Sequence, residues 1–487
     1  MLPVSHLSQS GLKDKLLYPT LLCLFGLLLG LQDILHGFWR FDDGGHLLWA
    51  LQHGLFDYFL DPEVTRKVTM GQLTPWNTFF YDLNITLFGF APRPMYLHLH
   101  LASGVVGALF YLLLRQQRCS AGLALLASAA FLCSAAWQSI SHTVMAAHYV
   151  YGLLFAQLAL LSGVKALRCE ADASLRAGVW AVAASVCYAS ALACKEFYVP
   201  LPLVLAGLAV VAAQDDKSGG KSLLLRKLWP FALLWGAVLL GYVAWRHEVV
   251  SGMLGSYHAS GPLGGVDALG LAGTVKVMLS MLLALPAGGV GWLEAVYGLL
   301  FALVALLLLK MGWRDRFAAA LILGASLSVV LLLSFLGAAQ LQLITPPPRY
   351  AVMLVWTLLL VAALAFRERD ESLSGKKATM LLLTLLLATN AVYALKHVQP
   401  TFPESESYYR FAIGATDTPG TLLLPQMSTA IYKDQLWVFR QVYERLGKEL
   451  PQRNWSVSAA QPLCLAAETG HPYWFWSPAQ RKLVVCE

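Results

Sequence analysis

Apolar residues in this chain gather in long runs separated by short polar breaks. Leu16–Leu35, Val179–Cys194, Ala295–Leu309, Ala318–Leu336 and Ala351–Phe366 are each mostly or entirely uncharged. About 20 apolar residues in a helix cross a hydrocarbon core of about 30 Å, and flanking residues extend the shorter runs to that length. Basic residues cluster between the runs. The clusters are Lys13/Lys15, Arg115/Arg118, Lys165/Arg168/Arg176, Lys217/Lys221/Arg226/Lys227, Lys310/Arg314/Arg316 and Arg367/Arg369/Lys376/Lys377. With one crossing per run and Lys13 inside, all six clusters fall on the same side, which is the positive-inside pattern. The pattern predicts about 11 transmembrane helices, a cytoplasmic N-terminus and an outer C-terminus. Residues 268–290 are the exception. Lys276 and the Pro286-Ala287-Gly288-Gly289 break argue against a span there and for a helix lying in the outer leaflet.

Composition agrees with the pattern. Of 487 residues, 57% are hydrophobic and 13% charged, against about 25% charged in a soluble domain. The mean hydropathy is +0.59. The net charge of +7 does not point to nucleic acid, because the basic residues sit between apolar runs. Leu16–Leu35 is too long, and too weakly followed by a small-residue cleavage site, for a removed signal peptide. It reads as a retained first helix. Six of the eight cysteines lie in or beside helices with no metal-ligand spacing. Cys464 and Cys486 fall in the outer tail, where an oxidising compartment permits a disulfide between them.

Residues 1–395 therefore form the transmembrane domain and residues 396–487 an outer C-terminal domain. The inside loops are too short for a soluble catalytic domain, which leaves the outer face and the membrane for chemistry. The first outer loop, 37–95, carries Trp49, Phe56, Tyr58, Phe59, Trp76, Phe79, Phe80 and Tyr81, and is expected to fold as amphipathic helices on the membrane surface. In the proline-rich tail, Thr421–Leu424 and Leu483–Val485 read as strands and Asp434–Leu446 as a helix, giving a small mixed α/β unit.

Ionisable residues at membrane depth mark functional sites, and four groups fall on the outer face. Arg40-Phe41-Asp42-Asp43-Gly44-Gly45-His46 follows the first helix. Paired carboxylates repel, so one can hold a raised pKa suited to general-base work, while an Asp there also suits a helix cap. Lys195-Glu196 ends the Val179–Cys194 run, and either an interfacial ion pair or a phosphate contact by Lys195, oriented by Glu196, accounts for it. Arg246 stands at another outer helix end. Thr345-Pro346-Pro347-Pro348-Arg349-Tyr350 should approach the membrane extended and hold Arg349 rigidly, as bidentate phosphate recognition requires. An acidic pair and three separated cations suit a phosphate leaving group and a hydroxyl nucleophile. This chemistry requires no metal, although the Asp pair could hold a divalent ion. His46, Asp57, His98 and His100 stand near these groups, with no spacing that ranks them.

These segments resemble the GT-C superfamily of membrane glycosyltransferases, in particular the branch of protein O-mannosyltransferases and lipid-A aminoarabinose transferases. Phe41-Asp42-Asp43 resembles the acidic motif after the first helix. Thr74-Pro75-Trp76 through Asn84, then Leu87-Phe88-Gly89-Phe90-Ala91-Pro92, is similar to the stretch before the second. Ala193-Cys194-Lys195-Glu196 through Pro200 and Pro348-Arg349-Tyr350 are similar to two further motifs, in order, over roughly residues 1–400. Thr74 and Trp76 depart from the pattern, and the accessory TPR and MIR domains are absent. The resemblance implies a GT-C-type bundle and transfer of a sugar, usually with inversion, from a polyprenyl-phosphate carrier to a protein, lipid A or glycan acceptor. Asp42 or Asp43 would be the base. Lys195, Arg349 and Arg246 would meet the donor phosphate, with Glu196, Tyr350 and His46 in support. A bacterial inner membrane with a periplasmic site is the expected setting. Three other classes compete. They are a lipid-linked-sugar transporter, which should show mid-membrane charges in matching halves; a ligase or polymerase using diphosphate-linked glycan; and a non-enzymatic scaffold.

Overall fold

The computed structural model describes residues 13–69, 73–169, 174–213, 221–250, 311–335, 348–367, 401–415, 420–425, 429–458 and 472–486, with a few single residues between 384 and 395. The expected in-plane helix at 268–290 and the run Ala295–Leu309 lie outside them. The described chain is mostly helical. A short π-turn, Lys13–Leu17, leads into α1 (Tyr18–Leu29) and α2 (Leu31–His36). The loop 37–95 carries α3 (Asp43–Ala50), α4 (Asp57–Leu60), α5 (Pro62–Thr69) and α6 (Pro75–Phe88). The bundle continues through α7 (Pro92–Gln116), α8 (Ala121–Leu132), α9 (Ala135–Ser141), α10 (Ala147–Arg168), α11 (Ser174–Cys194), α12 (Leu201–Ala213), α13 (Lys221–Val250), α14 (Trp313–Phe335) and α15 (Val352–Ala365).

Among the described residues, five helical segments are long and apolar enough to cross a membrane: Pro92–Gln116, Val144–Arg168, Ser174–Cys194, Glu196–Ala213 and Leu228–Val250. The α8–α9 pair, bent by 60°, makes a sixth if it is one span. The bend falls at Ser134, whose hydroxyl caps α9 by accepting from the Trp137 amide at 3.2 Å. These spans make the chain a multi-pass membrane protein. Leu21, Leu24 and Leu28 of α1 are exposed while Leu22 and Gly26 are buried, so one face meets lipid and the other meets protein. Clusters expected on one side do meet in two places, since Asp14 pairs with Arg115 at 2.6 Å and Asp315 with Arg367 at 3.1 Å.

The first apolar run is not one continuous helix. It breaks at Gly30, between α1 and α2. The reason is the close approach of α7. A Cβ on Gly26 would lie 2.5 Å from Cα of Gly104, and one on Gly30 would lie 2.0 Å from the His100 ring. Small residues let two membrane helices pack backbone to backbone where no hydrophobic force drives them together. Pro348–Ala351 likewise departs from expectation. It is a 3-10 turn rather than an extended approach, a conformation that the fixed φ of proline permits equally well.

The loop helices α3–α6 form as expected. Beyond the bundle lie α16 (Thr401–Ala412), β1 (Thr421–Pro425), α17 (Thr429–Arg445), β2 (Asn454–Ser458), β3 (Tyr473–Ser477) and β4 (Lys482–Val485). The sheet order is β2-β1-β3-β4, with β1 parallel to both neighbours and β3–β4 antiparallel. The two expected strands and the helix are present, and β2 and β3 are additional. Cys486 is disulfide-bonded, and its expected partner Cys464 lies outside the described residues. One apolar core runs through the bundle. A second joins Trp39, Leu47, Tyr81 and Tyr96 to Tyr408, Tyr409, Leu436 and Phe439, so the first loop and the C-terminal helices share an interior.

Replacing Gly30 by Val should force α1–α2 away from His100. Over-packing of this kind costs about 1–3 kcal/mol. The expected outcome is a lower apparent melting temperature of the detergent-solubilised protein, while Gly122→Val, where a Cβ meets nothing within 4 Å, should change it little.

Candidate active site

The turn from Arg40 to Asp43 carries the acidic pair into α3. Asp42 occupies the N-cap position, yet its side chain makes no capping hydrogen bond. It is half-buried. Burial raises its carboxyl above the usual range and nearby Arg349 pulls it back. Asp43 is fully buried, with both oxygens occupied. One accepts the Arg40 amide at 2.6 Å and the other accepts the Tyr81 hydroxyl. Burial pushes its carboxyl up to about 7, against the lowering effect of those bonds and of the Arg40 charge. The two carboxylates thus differ. Asp42 is half-buried with a cationic neighbour, whereas Asp43 is enclosed.

His46 sits one turn along α3, stacked on Tyr81 with ring centroids 5.1 Å apart. The Asn77 amide lies 3.0 Å from its Nε2 and the Thr78 hydroxyl 3.4 Å from its Nδ1. Burial lowers its pKa to about 4, so the ring is neutral.

Lys195 ends α11 with an extended backbone and is buried against Tyr149 and Phe197, with Nζ 5.4 and 5.8 Å from their ring centroids. Its ammonium lies 3.6 Å from Glu196 Oε1, and Arg246 approaches Oε2 of the same carboxylate at 4.0 Å. All three are buried, so desolvation strengthens their mutual attraction. Arg349 is half-buried. Tyr350 shares its 3-10 turn, and the side chain of Tyr350 lies outside the described part. His148, near the start of α10, is buried and interacts electrostatically with both Lys195 and Arg349 as well as with His46.

Beside this region lies a cluster of buried charge that sequence reasoning did not assemble. The Arg40 guanidinium donates to Asp33 Oδ1 at 2.7 Å, to Glu406 Oε1 at 2.5 and 2.8 Å, and to the His142 carbonyl at 2.5 Å. It also lies over the Tyr96 and Phe402 rings. Asp33 Oδ2 contacts His142 Nδ1 at 2.5 Å and His100 Nε2 at 3.2 Å. Ligand atoms of Asp33, His100 and His142 lie within 4.8 Å of one another. Two atoms sharing a tetrahedral ion at about 2.0 Å would sit roughly 3.3 Å apart, so the 2.5 Å contact is that of a hydrogen bond. Of the other unranked residues, Asp57 accepts the Gly54 amide in a local turn at 2.7 Å. His98 lies between Asn84 and Tyr151.

Asp33 carried a usable signal, since a lone acid inside an apolar run is costly at membrane depth. His148, His142 and Glu406 carried none, because no spacing relates them to the motifs.

No protein-family model and no curated protein matches this chain. Among solved structures it is similar to the crystal structure of ArnT from Cupriavidus metallidurans bound to undecaprenyl phosphate. The identity is 14%, the alignment covers 96% of this chain and 93% of that one, and the TM-score is 0.45.

The raised pKa of Asp43 makes stability pH-dependent. Its carboxyl titrates near 3.8 when unfolded and near 7 when folded. Between those values the native state binds the extra proton, so its contribution is whole below about pH 4 and is lost as pH rises toward 7. Asp43→Asn should flatten the decline in apparent melting temperature across that window. An unchanged pH profile would show that Asp43 does not carry the effect.

Proposed function

We propose that this protein is a membrane glycosyltransferase that moves a sugar from a polyprenyl-phosphate carrier to a hydroxyl acceptor at the periplasmic face of a bacterial inner membrane. The observation that carries the reading is the placement of half-buried Asp42 beside Arg349, within one electrostatic neighbourhood that also holds Lys195, His46 and His148. Motif order along the chain supports the same reading.

Asp42, not Asp43, is the base. A base must reach the proton that it removes, and both oxygens of Asp43 are already engaged in a fully buried position. Asp42 takes the acceptor's proton as its oxygen attacks the anomeric carbon. The bond from that carbon to the carrier phosphate breaks on the opposite face, which inverts the centre. Charge accumulates on the departing phosphate, and Lys195 and Arg349 stabilise it there more than in the ground state. Arg246 adds a third positive charge on the phosphate side, and Glu196 lies between it and Lys195. His46, held neutral by burial, adds no positive charge beside Asp42. Tyr350 belongs to the turn that carries Arg349. A divalent metal is not required in this scheme.

Asp42→Asn should lower kcat by about 100–10,000-fold, the usual worth of a general base, with donor binding retained. Lys195→Ala and Arg349→Ala should each weaken binding of a polyprenyl-monophosphate sugar by roughly 10–100-fold, the worth of a charged hydrogen bond. Binding is measured on protein in nanodiscs. A wild type that binds only diphosphate-linked donors would move the reading to a ligase or polymerase. Flux in liposomes without acceptor would move it to a transporter.

A further inference from the structure

The turn that carries Asp42 is not self-supporting. Phe41 has φ = +47°, the left-handed region in which a bulky side chain is strained by about 1–3 kcal/mol. Little within the loop itself offsets that strain. Most of the side chains that do so come from more than 360 residues later in the chain.

The Phe41 amide donates to Ser405 Oγ at 2.8 Å, and the Phe41 carbonyl accepts the Tyr409 hydroxyl. That same hydroxyl oxygen accepts the Gly44 amide at 3.2 Å. The Gly45 amide donates to Gln435 Oε1 at 2.8 Å, and the Phe38 amide donates to Glu406 Oε1 at 3.3 Å. Five backbone groups between residues 38 and 45 are thus satisfied by side chains of α16 and α17. Glu406 also holds the Arg40 guanidinium through Nε and Nη2. Packing repeats the arrangement. Phe402 meets Phe41 edge to face at 6.3 Å. Gly44 approaches α17 so closely that a Cβ would lie 2.7 Å from the Gln435 carbonyl. Buried polar backbone must find partners, and here the partners fix a conformation that the local sequence resists.

We infer that the C-terminal segment is part of the transferase site, and that Glu406, Ser405 and Tyr409 are positioning residues that hold the Asp42 turn in its working geometry. This rests on the reading of Asp42 as the base. None of the three touches the reacting atoms. They act through the backbone of residues 38–45 and through Arg40. If Phe41 relaxes out of the left-handed region, the peptide planes on both sides of it rotate and the Asp42 carboxylate swings with them. A displacement of about 1 Å at a reacting group can cost about 100-fold in rate. Glu406 is placed to have the largest effect of the three, because it binds both the Arg40 side chain and the loop backbone.

The test uses full-length protein in nanodiscs, with Glu406→Ala, Glu406→Gln and the milder Ser405→Ala. Glu406→Ala should lower kcat by about 100-fold while donor binding and donor KM stay within about twofold of wild type. The acid limb of the kcat–pH profile should move, because the surroundings of Asp42 change. Glu406→Gln keeps an acceptor for Arg40 and should restore most of the rate. Amide hydrogen exchange across residues 38–45 should rise in Glu406→Ala and, less, in Ser405→Ala. Should Glu406→Ala fail to fold, Ser405→Ala carries the same test, with a loss of about 10-fold expected from one backbone bond. Folded variants with wild-type kcat, pH profile and exchange would overturn the inference. A wild type that binds donor but transfers to no hydroxyl acceptor would instead overturn the base assignment, and the two failures are told apart by that control.

Discussion

The buried guanidinium of Arg40 is the interaction on which the loop 37–95 and its docking to the C-terminal helices depend. It is almost inaccessible to solvent, and a lone buried charge would be prohibitive. Asp33 and Glu406 balance it at hydrogen-bond distance, which is the condition under which burial is tolerated. The pairing joins parts of the chain that have no local reason to meet. Asp33 comes from the end of the first apolar run, His142 from the bend after α9, and Glu406 from beyond the bundle. Removing either carboxylate takes hydrogen-bond partners from the buried guanidinium, so these segments are held as a set. The Arg40 amide is also what fixes one oxygen of Asp43.

Around that centre the site divides its carboxylates by environment. Asp43 is enclosed and its charged form disfavoured, while Asp42 faces Arg349. Neighbouring identical residues thus have different electrostatics because one is fully enclosed and the other is half-buried near the charge of Arg349. Lys195, Glu196 and Arg246 form the other side, where one carboxylate between two cations limits their repulsion without cancelling their joint field.

The parts of this arrangement that were legible in the sequence are those that break a pattern. An acidic pair directly after a span, a Lys-Glu pair at a helix end and an Arg after three prolines are each conspicuous against apolar surroundings. Asp42, Asp43, Lys195 and Arg349 could be picked out on that ground. Asp33 stood inside a run that otherwise read as uninterrupted helix, and the glycine beside it, Gly30, is what breaks that helix. Glu406 lies in a polar stretch, Glu404-Ser405-Glu406-Ser407, where nothing distinguishes the buried acid from its neighbours. Its role depends on a contact across 366 positions, and periodicity reports only on near neighbours. The strand β2 was hidden for a related reason. Its pairing with β1 is parallel, so no tight hairpin turn announces it.

The turn at Phe41 also has a consequence for the order of synthesis. The acidic pair is made first, whereas the side chains that give the turn its shape follow more than 360 residues later. A nascent or prematurely terminated protein would already carry both aspartates and could already be inserted, yet its turn would be free to relax. Dependence on residues more than 360 positions later thus ties the shape of the turn to the synthesis of α16 and α17. Until those two helices dock, the left-handed turn at Phe41 lacks the side chains that satisfy its backbone.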